Sequence, residues 1–145
     1  MILYHTSNIE IQNPDLLHSR SKLDFGKGFY LTPLRIQAEK YGERFLRRGI
    51  KAMLNIFSLD DERENCTYKV FNSYDGEWLD FVMACRKGLP HVTFDIIEGG
   101  IADDQVFNTV DLYFSEIYTR EQALNQLQYT KPNRQICITS QYVLD

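Results

Sequence analysis

Apolar residues in this chain never run together for long. The longest unbroken apolar stretch is residues 81–85, against the roughly 18 that a membrane-spanning helix needs. That excludes a bundle of spanning helices and leaves short strands and amphipathic helices, read from the period of the apolar residues. Residues 2–5 suit a buried strand. Residues 7–24 are polar and irregular, with a turn at Asn13-Pro14-Asp15. Residues 28–31 read as a second strand. Thr32-Pro33 then opens a helix, with Thr32 as N-cap and Pro33 at the first helical position. Leu34, Ala38, Tyr41 and Phe45 give that helix an apolar stripe, and Arg47, Arg48 and Gly49 close it.

Residues 51–59 and 67–71 read as strands. Residues 75–86 are helical, with Trp78 in the core, and stop at Gly88 and Pro90. The β-branched and aromatic run 92–97 is a strand, turned by Gly99-Gly100. Asp103-Asp104 caps a helix that ends at Phe114. Thr119 to Gln122 is a capping box for a helix over 120–127. Lys131-Pro132-Asn133 is a turn, and 135–139 is the last strand. The strands come in mixed runs rather than strict βαβ units. That predicts an α+β fold with a twisted, mainly antiparallel sheet. No linker or repeat divides residues 1–145, which read as a single domain.

Sixteen Lys and Arg against 20 Asp and Glu give a net charge of −4, which argues against a domain that grips nucleic acid by its phosphates. Cys66, Cys85 and Cys137 are odd in number and far apart, so they read as reduced thiols, at least two of them buried. The opening MILYHTSN lacks the features of a signal peptide, and the expected location is the cytoplasm. His5, His18 and His91 have no metal-ligand spacing, so no metal is expected. Gly26-Lys27-Gly28 is not a dinucleotide fingerprint, because position 31 is Leu. Asp60-Asp61 and Asp103-Asp104 are sequence neighbours whose side chains point apart, poor material for a paired-carboxylate site. Aromatics reach 13%, enough to line a stacking pocket as well as a core.

Three segments remain: Tyr4-His5-Thr6-Ser7, Phe25-Gly26-Lys27-Gly28-Phe29-Tyr30-Leu31, and Asn133-Arg134-Gln135-Ile136-Cys137. Together they resemble the ADP-ribosyltransferase superfamily of the diphtheria-toxin and poly-ADP-ribose polymerase type. Its marks are a His ending a first strand, an F-G-x-G-x-Y second strand, and a Glu starting a late strand. His5 matches the first. Phe25, Gly26, Lys27, Gly28 and Tyr30 match the second. Tyr41 lies eleven residues beyond Tyr30, where polymerase-type members carry a second aromatic. The whole chain also resembles a bacterial domain-of-unknown-function family of that superfamily, through blocks that begin at Tyr4, Asp24, Glu77, Ala102 and Asn133. Three positions depart from the superfamily pattern: Thr6 replaces a Gly, Ala38 a hydroxyl residue, and Gln135 the Glu.

The resemblance implies an ADP-ribosyltransferase-like split sheet and a mono-ADP-ribosyltransferase that takes NAD⁺ as substrate. It implies a macromolecular acceptor and an antitoxin as partner; the acidic net charge favours protein over nucleic acid as that acceptor, and no membrane partner is expected. His5, Tyr30 and Gln135 would be catalytic. His5, Thr6, Gly28, Tyr30 and Tyr41 would bind NAD⁺. His5 would hold the adenosine ribose, Tyr30 would stack on nicotinamide, and Gln135 would hold the nicotinamide ribose. Glu77 and Asp80, on one helical face, are candidates for the carboxylate that Gln135 lacks, and Lys27 for a phosphate contact. Two other classes fit the same residues: a non-catalytic binder of NAD or ADP-ribose, and a structural or protein-interaction domain whose aromatics are simply core.

Overall fold

A computed structural model of the chain describes residues 1–17, 23–60, 66–102, 104–130 and 133–145. The elements run β1 (Ile2–Ser7), β2 (Phe29–Leu31), α1 (Arg35–Arg47), β3 (Met53–Ser58), β4 (Tyr68–Val70), α2 (Gly76–Lys87), β5 (Ile96–Gly99), α3 (Asp104–Phe114), α4 (Arg120–Leu127), β6 (Gln135–Ile138) and α5 (Gln141–Leu144). The fold is α+β. One sheet pairs β1 antiparallel with β3, from Ile2 opposite Ser58 to Ser7 opposite Met53. The other has the order β2-β6-β5-β4. Its β2–β6 and β6–β5 pairs are antiparallel. β4 and β5 are parallel and are joined through α2, the one departure from antiparallel pairing among the described strands.

The two sheets touch at a narrow seam. Tyr4 N–H donates to Thr32 O at 2.8 Å, and Thr32 N–H donates back to Tyr4 O at 2.9 Å. This seam corrects the expected start of α1. The Thr32 carbonyl accepts from Tyr4 N–H, while the first helical N–H groups, of Gln37 and Ala38, donate to Leu34 O, so Thr32 is not the N-cap. The helix starts two residues after Pro33, with Leu34 as an N-cap that makes no side-chain bond. The Thr32 hydroxyl accepts from Leu34 N–H at 3.1 Å and donates to Arg134 O at 2.7 Å, tying the seam to β6.

Strand alternation sorts the core into two clusters. Phe29, Leu31, Ile96, Ile136 and Ile138 face Leu3 of β1, with Leu59 and Val143 closing that side. Ile97 and Cys137 face the helices instead, where Trp78, Leu79, Val82, Val110 and Leu127 are buried with them, and Tyr30 packs against that cluster. Trp78 is fully enclosed, and its indole N–H donates to Gly100 O at 2.7 Å. Local signals hold for α2 and α4. Asp75 caps α2 by accepting from Trp78 N–H at 2.9 Å, and Gly88 ends it with φ at 69°. Thr119 and Gln122 form the expected capping box.

β5 lies later than the apolar run suggests, at Ile96–Gly99 rather than 92–97. Asp95 and Thr67 explain the shift. Thr67 N–H donates to Asp95 Oδ2 at 2.9 Å, and Asp95 N–H donates to Thr67 Oγ1 at 2.8 Å, fixing where the parallel pair begins. Gly99 is therefore a strand residue opposite Gln135, not part of a turn. A Cβ there would lie 2.9 Å from that of Phe71. Asp103 of the expected Asp103-Asp104 cap, the Lys131-Pro132 turn and His18 lie outside the described residues. Cys85 and Cys137 are buried and Cys66 is half-buried.

Gly28 shows how tightly β2 lies on β6. A Cβ there would fall well inside van der Waals contact distance of Cys137 Sγ and 3.0 Å from Ile138 O. Gly28→Ala should destabilise the fold by about 1–3 kcal/mol. Adding Cys137→Ala should return part of that loss by removing the sulfur, while the carbonyl contact keeps the rest. Urea unfolding of the wild type, both single variants and the double variant checks this.

Candidate functional site

A large open cavity, about 1290 Å³, lies between β1 and α1 on one side and α2 and α3 on the other. It is roomier than the ~300–1,000 Å³ of a drug-sized ligand site. Five of the six residues singled out in the sequence line it: His5, Thr6, Tyr30, Tyr41 and Gln135. Gly28 does not, and its close contacts are with β6. Lys27 lines a separate cavity of about 250 Å³, beside Cys85 and His91.

His5 stands on β1 just past the seam. Its ring stacks on Phe29 at 4.5 Å, and Nδ1 lies 2.6 Å from Tyr30 O. A carbonyl only accepts, so Nδ1 carries the proton and Nε2 is left as an acceptor. Burial lowers the His5 pKa, and the bond to Tyr30 opposes that shift. The imidazole is therefore neutral at physiological pH.

Tyr30 and Gln135 share a sheet face. Tyr30 is opposite Cys137, so Gln135, two residues before Cys137, is its diagonal neighbour. The Tyr30 hydroxyl donates to Gly26 O at 2.6 Å and accepts from Phe25 N–H at 3.0 Å. Both partners belong to the tight Phe25-Gly26 bend, where Gly26 has φ at 81°. The hydroxyl thus clamps the bend while the ring lines the cavity. Burial and the nearby Cys137 push its pKa far above the ordinary tyrosine value. Gln135 Oε1 is shielded from solvent and accepts no hydrogen bond. A buried acceptor left so costs about 1–3 kcal/mol, which a donor brought into the cavity would relieve.

Thr6 turns its hydroxyl away, donating to Ala38 O at 2.6 Å and locking β1 to α1. Tyr41 is exposed, edge-on to Phe45 at 5.4 Å and with the Arg44 guanidinium 5.7 Å from its ring. It is a cavity wall rather than core. Burial pushes the Cys85 and Cys137 thiols up to about 12, so neither is a thiolate nucleophile.

The lining carries Lys40, Arg44 and Arg86 against the single carboxylate of Asp24 among the described residues. On a chain of net charge −4, that local excess of cations suits an anionic ligand. Glu77 and Asp80 are not in the lining. Glu77 pairs with Lys69 and Asp80 with Arg120, both on the outer side of α2. Neither stands in for the missing Glu. Among the described residues no group of His, Cys, Asp and Glu gathers as a metal site, and no helix is long and apolar enough to cross a membrane.

Asp24 and Arg86 line the cavity as well, and nothing local in the sequence marks them as cavity residues. Arg86 reads there as an ordinary cation ending a helix, and Asp24 as the first letter of a block. The signal was the set of blocks itself, because they converge on residues 100–102. Ala102 N–H donates to Asp24 Oδ2 at 2.7 Å, Ile101 N–H to Asn133 Oδ1 at 2.8 Å, and the Tyr74 hydroxyl to Ile101 O at 3.0 Å.

The fold and site together define an α+β protein with a cation-edged cavity at the seam of its two sheets. The chain belongs to a family described as protein of unknown function (DUF3990), which matches residues 1–145. No curated protein matches the chain, and no solved structure does either.

The lowered His5 pKa sets a sign for stability against pH. The folded state resists protonation more than the unfolded chain does. The contribution is full above the unfolded value of 6.5 and is lost as pH falls through the lowered folded value. Thermal unfolding followed from about pH 8 to about pH 5 should show a decline in wild type that is shallower in His5→Gln.

Proposed function

We propose that the protein is an NAD⁺-dependent mono-ADP-ribosyltransferase with an ADP-ribosyltransferase-like fold, acting on a macromolecular target. One observation carries this reading. Three segments far apart in sequence, which bear the resemblance to that superfamily, put His5, Tyr30 and Gln135 in the lining of one cavity. The polar and aromatic equipment suits a dinucleotide. His5 Nε2 accepts from a ribose hydroxyl. The rings of Tyr30 and Tyr41 offer faces to the positively charged nicotinamide. Lys40 and Arg44, in the same lining, supply cations for the dinucleotide's phosphates. In the reaction the bond between ribose and nicotinamide breaks, nicotinamide leaves with the electron pair, and an acceptor side chain attacks the ribosyl cation as it loses its proton. The Gln135 oxygen accepts from a ribose hydroxyl but brings no charge to that cation. A protein acceptor and an antitoxin partner in the cytoplasm belong to the same proposal.

The missing charge favours a second reading, a non-catalytic binder of NAD or ADP-ribose. Asp24, the carboxylate in the lining, is already engaged by Arg86 and Ala102.

The decisive comparison is wild type, His5→Ala and Gln135→Glu, each incubated with NAD⁺ and cell lysate. Nicotinamide release and ADP-ribose adducts are read by mass spectrometry. The transferase reading expects release by wild type, less by His5→Ala, and a gain of about 10²–10³ in Gln135→Glu, the scale of one well-placed electrostatic group. NAD⁺ binding by calorimetry with no release, even from Gln135→Glu, would establish the binder. No binding by any of the three would sink both.

A further inference from the structure

Arg86 lies in the last turn of α2, and a cation there normally does no more than face the helix's negative end. Its surroundings are more specific than that role requires. The side chain lines the large cavity and is 23% exposed. The guanidinium carbon lies 5.0 Å from the Phe107 ring and 5.7 Å from the Phe114 ring, both on α3. Its Nε is 3.5 Å from Asp24 Oδ1, and Asp24 is itself fixed by the Ala102 N–H. Nη1 is shielded and has no hydrogen-bond partner.

If Arg86 existed only to neutralise Asp24, a bidentate fork would be the favoured geometry. The contact is instead an approach of 3.5 Å through Nε, and Nη1 is buried without a partner. The aromatic rings and Asp24 fix the plane of the guanidinium before any ligand arrives, which is how arginine sites gain geometric selectivity. Gln105 and Asn108, one turn apart on α3, line the same wall. Both are amides and bring no competing negative charge.

We infer that Arg86, with Gln105 and Asn108, forms an anion subsite on the α2–α3 wall, built for the paired oxygens of a phosphate or carboxylate group. The subsite stands on the cavity wall and not on the transferase reading. Such oxygens belong equally to a phosphorylated small molecule and to an acidic acceptor side chain.

The test uses the full chain, with inorganic pyrophosphate and glutarate as separate probes in calorimetric titrations. The proteins are wild type, Arg86→Gln, Arg86→Lys and Asp24→Asn, with unliganded thermal unfolding as the folding check. At least one probe should bind wild type. Arg86→Gln should weaken that binding about tenfold or more, and Arg86→Lys should recover part of it, because a point charge replaces a fork. Asp24→Asn should tighten it, since the competing carboxylate is gone and the amide oxygen still serves the Ala102 N–H. Binding of pyrophosphate alone assigns the subsite to phosphates, and of glutarate alone to carboxylates. If neither probe binds, or Arg86→Gln binds as wild type does, the subsite is refuted. Should Arg86→Gln fail to fold, Asp24→Asn decides: unchanged or weaker binding overturns the inference. Nicotinamide release plays no part in this experiment, so the NAD⁺ reading and the subsite stand or fall separately.

Discussion

Two hydrogen bonds between Tyr4 and Thr32 organise the molecule. They are the backbone link by which the β1–β3 sheet joins the four-stranded sheet. The cavity is lined from both sides of that link, by Tyr4 to Ser7 of β1 and by Tyr30, Leu31 and Gln135 of the four-stranded sheet. The same link places the chemistry. His5 follows Tyr4 directly and reaches back to Tyr30 O. Thr32 passes the constraint on through its hydroxyl to Arg134 O, next to Gln135. One residue, through its backbone and its hydroxyl, thus ties together β1, β2 and β6.

Tyr30 illustrates a division of labour within one residue. Its hydroxyl is committed to the Phe25-Gly26 bend, and Phe25 stacks parallel to it at 6.5 Å. The ring is therefore positioned by covalent neighbours and by its own polar tip. A wall fixed in this way loses little freedom when a flat ligand settles on it. Gln135 is the counterpart, with a shielded oxygen that nothing in the described protein satisfies.

What the sequence makes legible here follows the range of the interactions. Helices α2 and α4 are readable because their caps lie within a turn of the residues they serve, Asp75 to Trp78 and Thr119 to Gln122. The start of α1 is not, because Thr32 answers to Tyr4 rather than to its own helix. β5 is misplaced because Asp95 answers to Thr67. The short α5 gives no period to read. In the cavity, His5, Tyr30 and Gln135 are found through blocks that keep their spacing. Asp24 and Arg86 meet only through the fold, and each has an ordinary local explanation that hides it. Gly28 belongs to the same block as Tyr30, and its close contacts are with β6.

The strand order β2-β6-β5-β4 puts β6 between β2 and β5, although every other described strand precedes it in the chain. Until it arrives, Phe29 and Leu31 of β2 and Ile96 and Ile97 of β5 have no neighbour along one edge. Sheets completed by such sequence-distant pairing pass through a slow closing step, because loop entropy is lost before the contacts form. Two open apolar edges are held apart in the meantime, a state prone to pairing with other chains. The vulnerable period for this protein is therefore the interval in its synthesis before residues 135–138 emerge, when the other described strands exist and the cavity does not.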